Sequence, residues 1–75
     1  MEAMTKTQAV GYWTLIGGDW AYVREWEEIE GHPDGGHFTG TIYLREGKNI
    51  TSSWTRDGRD CDGYTPWDLK RKGRL

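Results

Sequence analysis

The sequence predicts an all-β protein: a small, strongly bent antiparallel sheet or partly open barrel of four or five strands, with little helix. Eleven glycines divide the 75 residues into short segments, which is typical of turns between short strands. Several of these segments alternate apolar and polar residues at period two, as half-buried strands do. Ten aromatic residues, five of them tryptophan, supply the large buried area that so short a chain needs.

The first two strands are predicted at residues 10–16 and 20–29, with a Gly-Gly-Asp turn between them. Glycine and aspartate between two β-type runs favour a hairpin. Period-two alternation in the second run predicts two faces: Trp20, Tyr22 and Trp26 on one, and Ala21, Val23 and Ile29 on the other. Four glutamates in residues 25–30 and a partial 3.6-residue spacing leave a helix as the alternative.

The clearest hairpin joins predicted strands at residues 38–45 and 49–56 through a Glu-Gly-Lys turn. A Pro-Asp-Gly-Gly loop within residues 31–37 precedes it, because proline fixes φ and glycine permits positive φ. Alternation in the first of these strands predicts two faces: Phe38, Gly40, Ile42 and Leu44 on one, and Thr39, Thr41, Tyr43 and Arg45 on the other.

A short closing strand is predicted at residues 64–69. Pro66 places this strand on an edge of the sheet, because proline cannot donate a ladder hydrogen bond. The predicted organisation is a flexible N-terminus at 1–9, a single β domain at 10–69 and a mobile basic C-terminal tail at 70–75. Seventy-five residues leave no room for a second domain.

The tryptophans are the most informative residues, since one small core has difficulty burying all five. Trp13, Trp20 and Trp54 are predicted in the core. Trp26 and Trp67 are predicted to be partly exposed, where rigid aromatic rings serve as binding anchors. Homo-oligomerisation is a further route to stability for a chain of this size and stays an open alternative.

Composition argues against several classes of protein. No run of 18 apolar residues is present to span a bilayer, and residues 1–10 show no apolar segment of a secretory signal, so a cytoplasmic location is expected. A single cysteine, Cys61, rules out a disulfide within the chain. The net charge of −2 argues against broad electrostatic binding to nucleic acid.

Two arginines near an Asp-Gly turn form a candidate anion site. Guanidinium groups bind phosphate bidentately, and an aromatic face can stack on a base. The candidate ligand-binding residues here are Trp54, Arg56, Arg59, Tyr64 and Trp67. The alternative is a solvated turn in which the arginines pair with neighbouring aspartates.

The sequence contains no convincing metal-binding or catalytic motif. The aspartates before Gly63 do not fit the EF-hand spacing, and His32, His37 and Cys61 lack the close paired spacing of a zinc site. No nucleophile elbow, phosphate-binding loop or zinc-protease motif is present. We therefore expect neither enzymatic activity nor a metal or other cofactor.

Acidic and basic segments offer two further surfaces. Trp26, Glu27 and Glu28 lie in a run that could dock a basic host protein or mimic nucleic acid, the alternative being a solvated strand edge. The basic residues of 70–75, with the aromatic residues, could bind a single-stranded nucleic acid as OB-like folds do. A solubilising tail is the favoured interpretation, so nucleic acid is the less expected partner.

The second half of the chain resembles small uncharacterised proteins of tailed bacteriophages and prophages. Their typical ending is an aromatic residue, a spacer, Asp-Gly-Arg, a polar stretch and Asp-Leu, matched here by Trp54, Asp57-Gly58-Arg59 and Asp68-Leu69. The resemblance implies a compact β fold and a phage accessory origin, without an activity.

Small phage accessory proteins often act by binding. The leading hypothesis is therefore a non-enzymatic phage-type module that inhibits or sequesters a host component, such as an anti-phage defence complex, through an aromatic and acidic surface. A binder of a small nucleotide-like ligand and a binder of single-stranded nucleic acid are the alternatives.

Overall fold

Five antiparallel strands form a single sheet in the computed structural model, which describes residues 5 and 7–73. The strands are β1 (Gly11–Leu15), β2 (Trp20–Glu28), β3 (Gly36–Tyr43), β4 (Asn49–Trp54) and β5 (Leu69–Lys72). Their order across the sheet is β4-β3-β2-β1-β5, so β4 and β5 are its edges. The predicted all-β class is confirmed, and residues 20–28 form a strand rather than a helix.

The only helical element among the described residues is a short 3-10 turn, Thr65–Trp67, which precedes β5. Pro66 lies in this turn because its fixed φ suits the start of a helical segment. Within the described part of the chain, no helix is long and apolar enough to cross a membrane.

β2 contains a β-bulge at Arg24. The cross-strand register runs from the pair Val23–Gly40 to the pair Glu25–Thr39, so β2 has one residue more than β3 at this point. Such an extra residue bends the strand and shifts the alternation of its side chains by one position.

The bulge changes the face on which Trp26 lies. Trp26 pairs with Phe38, and its ring contacts the Phe38 ring edge-on at 4.8 Å between centroids. Trp26 is therefore on the core side of the sheet, whereas Trp20 and Tyr22 are on the other side. The prediction that these three residues share one face was wrong because regular alternation does not continue through a bulge.

The hydrophobic core lies on one face of the curved sheet. Its buried apolar members are Ala9, Trp13, Leu15, Ala21, Val23, Phe38, Ile42, Trp54 and Leu69. Partly buried residues that pack against it are Trp26, Leu44, Ile50 and Trp67. Core positions for Trp13 and Trp54 are thus confirmed, as is partial exposure for Trp26 and Trp67, but Trp20 is half-buried on the opposite face.

Residues 55–68, which we call the covering loop, are fixed to the core by specific hydrogen bonds. The Trp54 indole Nε1 donates to the Trp67 carbonyl oxygen at 2.8 Å. The Asp60 amide donates to Asp68 Oδ1 at 2.7 Å, and the Leu69 amide donates to the Gly58 carbonyl oxygen at 2.8 Å. This loop therefore belongs to the folded domain.

The closing strand lies later in the chain than predicted. β5 begins at Leu69, which is buried, and pairs with β1 through Lys72. Residues 70–72, predicted as part of a mobile tail, thus form an edge strand whose charged side chains suit an exposed edge. Residues 74 and 75 lie outside the described residues.

The N-terminal boundary also differs from the predicted flexible segment at 1–9. Ala9 is buried in the core, and its carbonyl oxygen accepts a hydrogen bond from the Trp13 indole Nε1 at 2.8 Å. The Lys72 ammonium donates to the Gln8 carbonyl oxygen. Residues 1–4 and 6 lie outside the described residues.

Candidate functional site

The face of the sheet opposite the core carries a cluster of four aromatic side chains, Tyr12, Trp20, Tyr22 and Tyr43, which we call the outer aromatic face. The Trp20 and Tyr43 rings stack at 4.2 Å between centroids with an interplanar angle of 18°. Tyr12 contacts Trp20 at 5.4 Å and Tyr22 at 4.8 Å. Tyr12 is 43% exposed and the other three rings are half-buried, so the cluster meets solvent.

Strand register brings these rings together from three strands. Tyr12 of β1 pairs with Tyr22 of β2, and Trp20 of β2 pairs with Tyr43 of β3. Cross-strand partners project from the same face, so aromatic pairs stabilise the sheet even where they are solvent-exposed.

Two rows of side chains cross the outer aromatic face perpendicular to the strands. The first row consists of successive cross-strand partners and contains Arg71, Thr14, Trp20, Tyr43 and Asn49. The second row contains Tyr12, Tyr22, Thr41 and Thr51. Rings are therefore flanked by hydroxyl and amide groups that can donate and accept hydrogen bonds.

Cationic side chains border the rings on two sides. The Arg24 guanidinium donates from Nη2 to Thr41 Oγ1 at 2.7 Å, across the second row. At the other side, a cleft of about 270 Å³ is lined by Trp20, Lys70 and Arg71 together with the β1–β2 turn. The bulge that displaces Trp26 also supplies Arg24 to this face.

Arg45 lies close to the same turn but is held by the protein itself. Its Nη2 donates to the Gly17 carbonyl oxygen at 2.8 Å, and its Nε lies 3.6 Å from Asp19 Oδ1. The Arg45 side chain is nevertheless 74% exposed, so its charge contributes to the field at this end of the molecule.

The candidate anion site around the Asp-Gly turn is not assembled as predicted. Trp54 is fully buried, so it cannot stack on a ligand. Arg56 lies over the Trp26 ring at 5.6 Å from its centroid, as a cation–π pair. Arg59 lines a separate cleft of about 370 Å³ beside Asp60 and Asp68, whose carboxylates disfavour a phosphate.

Tyr64 and Trp67 of the predicted set do lie together, with their rings edge-on at 4.9 Å between centroids. Tyr64 is 52% exposed, whereas the Trp67 carbonyl oxygen is committed to the Trp54 indole. This pair lies within the covering loop and leaves one exposed ring.

Glu27 and Glu28 lie in residues 25–37, which we call the acidic arm. Beyond the bulge, β2 pairs with β3 alone among the described strands. The arm contains five carboxylates and neither lysine nor arginine; they belong to Glu25, Glu27, Glu28, Glu30 and Asp34. Glu27 faces His37 across the strands, with 3.9 Å between Oε2 and Nε2.

The metal-ligand candidates do not converge. No group of three or more His, Cys, Asp or Glu side chains positioned to hold a metal ion occurs among the described residues. The His32 and His37 rings contact each other at 5.9 Å, whereas Cys61 lies at the start of a different turn. Partial burial raises the pKa of the Cys61 thiol, and the Asp60 and Asp62 carboxylates raise it further while a Ser53 hydrogen bond opposes them.

Comparison of the chain with protein-family models, curated proteins and solved structures finds no match. The functional assignment therefore depends on the geometry of the chain itself.

Sequence reasoning missed Tyr12 and Tyr43 as site residues and placed Trp20 in the core. A usable signal was present: Ala21 and Val23 are the small apolar residues that a buried face requires, so Trp20 and Tyr22, which alternate with them, must project to the other side. Tyr43 likewise alternates with Ile42.

Proposed function

We propose that the protein is a non-enzymatic binding module that holds its partner on the outer aromatic face. The observation that supports this proposal is the stacked, solvent-contacting ring cluster around Trp20 and Tyr43. Exposed clusters of aromatic rings are unusual on a small soluble domain and are typical of contact surfaces. The groups on this face are rings, hydroxyls and guanidinium groups, which bind and orient ligands.

The resemblance to phage accessory proteins adds a source and a mode of action to the proposal. On this basis the module acts in the cytoplasm of a bacterial host and inhibits or sequesters a host component, either a protein or a nucleotide-like molecule. The residues that carry the resemblance, among them Asp68 and Leu69, support the covering loop and β5, which is consistent with a structural role for them.

The acidic arm is a second candidate contact surface, for a protein with a basic surface. It is favoured by the concentration of five carboxylates in residues 25–37 without a lysine or arginine, and by the Trp26–Arg56 pair at its base. Like-charged carboxylates on one hairpin disfavour binding to nucleic acid at this end and attract cationic partners.

Native mass spectrometry of protein purified gently from bacteria tests both surfaces. We expect the wild-type protein to retain a bound molecule that Trp20→Ala and Tyr43→Ala lose and that Tyr64→Ala keeps, since Tyr64 is exposed away from the outer aromatic face. If Glu27→Lys loses the bound molecule and Trp20→Ala retains it, the acidic arm is the binding surface instead of the outer aromatic face. Turnover of a nucleotide, peptide or glycan that disappears on changing one carboxylate would overturn the non-enzymatic assignment.

A further inference from the structure

The first row of the outer aromatic face extends across the whole sheet. It passes from Arg71 through Thr14, Trp20 and Tyr43 to Asn49, one residue from each of the five strands. Adjacent strands lie about 4.8 Å apart, so the row is roughly 19 Å long. A surface of this length suits a ligand with repeated units better than a single nucleoside.

Positive charge lies on both sides of the ring cluster. Arg71 and Lys70 line the cleft beside Trp20, and Arg24 lies across the second row, bonded to Thr41. Carboxylates also border the face: Asp19 is paired with Arg45, and Glu25 is the first residue of the acidic arm. The net negative charge of the chain therefore does not determine the sign of the electrostatic potential around the aromatic rings.

Aromatic rings bordered by positive charge favour some classes of partner over others. An apolar protein surface would cover the guanidinium groups without supplying a counter-charge, which is costly. A single-stranded nucleic acid supplies both complements, because its bases stack on aromatic rings and its phosphates pair with arginine and lysine.

Building on the proposed function, we propose that the outer aromatic face binds single-stranded nucleic acid across the strands of the sheet. Bases stack on the exposed Tyr12 ring and pack against the solvent-facing edges of Trp20 and Tyr43, whose rings cover each other's inner faces. Phosphates pair with Arg71 and Lys70 at one side and Arg24 at the other. The acidic arm then limits the path of the strand to the opposite end of the molecule, since its carboxylates repel phosphates.

Fluorescence anisotropy of labelled ten-nucleotide oligo(dT) and oligo(U) tests this proposal, with uridine monophosphate as competitor. We expect both oligonucleotides to bind and the mononucleotide to compete only weakly. Trp20→Ala should weaken binding by roughly 5- to 150-fold, the range for loss of one aromatic contact to a base. Arg71→Ala should reduce the slope of log K against log salt by about 0.7, as expected for one lost phosphate contact.

Matched controls use the same residue types away from the face. Arg59→Ala and Tyr64→Ala should bind as the wild type does, and Trp20→Tyr should restore most of the affinity lost in Trp20→Ala. Circular dichroism spectra of all variants separate loss of binding from loss of fold, and Arg71, which is exposed on an edge strand, gives a second variant of small structural consequence.

The outcomes distinguish this inference from the proposed function. If the protein binds no oligonucleotide but still retains another molecule through Trp20, the nucleic-acid inference is overturned and the proposed binding module stands. A protein partner bound to this face would lead to the same conclusion. Binding lost in Arg59→Ala rather than Arg71→Ala would also overturn it. Absence of any retained molecule and of oligonucleotide binding would overturn both.

Discussion

Trp54 connects the sheet to the covering loop. Its side chain is fully buried at the end of β4, and its indole Nε1 donates to the Trp67 carbonyl oxygen. The sequence predicted the burial, because period-two alternation places Trp54 on the same face as Ile50 and Ser52, but the same residue was also predicted to contact a ligand. Full burial with a satisfied indole makes it a structural residue.

Replacing Trp54 tests this structural role. Trp54→Ala should lower the free energy of unfolding by about 3–5 kcal/mol, because it removes a large buried side chain and leaves a cavity. Trp54→Phe should cost less, since it keeps most of the apolar area and loses mainly the hydrogen bond, worth about 0.5–1.5 kcal/mol. Urea denaturation followed by circular dichroism measures both.

A loss below about 1 kcal/mol in Trp54→Ala would show that the indole does not fix the covering loop. Tyr64→Ala is the comparison within that loop, because it removes a ring that is 52% exposed and should change the unfolding midpoint little.

Among the elements, β3 and β4 show what alternation alone predicts. Ile42 and Tyr43 lie on the predicted faces, and the hairpin turn lies where its Glu-Gly-Lys residues indicated. β5 was misplaced because Pro66 was assigned to an edge strand, although proline fits a 3-10 turn equally well. Local sequence does not decide between these two uses of proline.

The candidate site was harder to predict than the strands. Nothing in the local sequence marks Arg24 as a bulge. Alternation alone therefore could not predict that Trp26 lies on the core side of the sheet. Gly40 is a contributory signal next to the bulge: a Cβ there would overlap the Tyr22 carbonyl oxygen, so only glycine permits β2 to approach this closely. Which face of the sheet is left exposed depends on where the covering loop packs, and local sequence does not show this.

Deletion of Arg24 tests the bulge as an element. Without Arg24, Val23 is followed directly by Glu25, so regular alternation keeps the pairs Glu25–Thr39 and Trp26–Phe38 and leaves Trp26 on the core side. We expect the deletion variant to fold with the same register and to lose only the local bend of β2. Thermal denaturation with tryptophan fluorescence compares it with the wild type.

Arg24→Ala is the matched control for this deletion, since it keeps the chain length and the bulge. It should retain the fold and lose only the Nη2 hydrogen bond to Thr41. A deletion variant that fails to fold, while Arg24→Ala folds, would show that β2 requires the bend of the bulge and not only its register.

At the scale of the whole molecule, charge is separated along β2. Its first half carries Trp20, which lines a cleft with Lys70 and Arg71 of β5, and its second half carries glutamates of the acidic arm. The net charge of −2 is therefore distributed unevenly, with cations near one end of β2 and carboxylates at the other. The phage origin and the action on a host component stay predictions, because the fold alone does not identify a partner.

Truncation tests whether the last strand belongs to the domain. Removal of residues 70–75 deletes most of β5 and its hydrogen bonds to β1, including the Gly73 amide to the Tyr12 carbonyl oxygen at 2.7 Å. Each such bond contributes about 0.5–1.5 kcal/mol, so we expect a lower unfolding midpoint. Exposure of the β1 edge should also promote association at high concentration, measured by light scattering.

Removal of residues 74 and 75 alone is the control, because it separates their contribution from that of β5. If the longer truncation also had no effect, residues 70–72 would contribute no stability to the sheet. The longer truncation removes Lys70 and Arg71 as well, so point variants are required to assign any effect on binding to these two side chains.

The pairing of β1 with β5 also has a consequence for how the chain can be rearranged. Lys72 pairs with Trp13 of β1, and its ammonium donates to the carbonyl oxygen of Gln8, so the first and last described parts of the domain lie close together. A short linker could therefore join the two ends of the domain, and new ends could be opened in the loop at the tip of the acidic arm, where circular permutation is best tolerated. The permuted protein would hold β5 to β1 through a covalent connection as well as through the hydrogen bonds of the sheet.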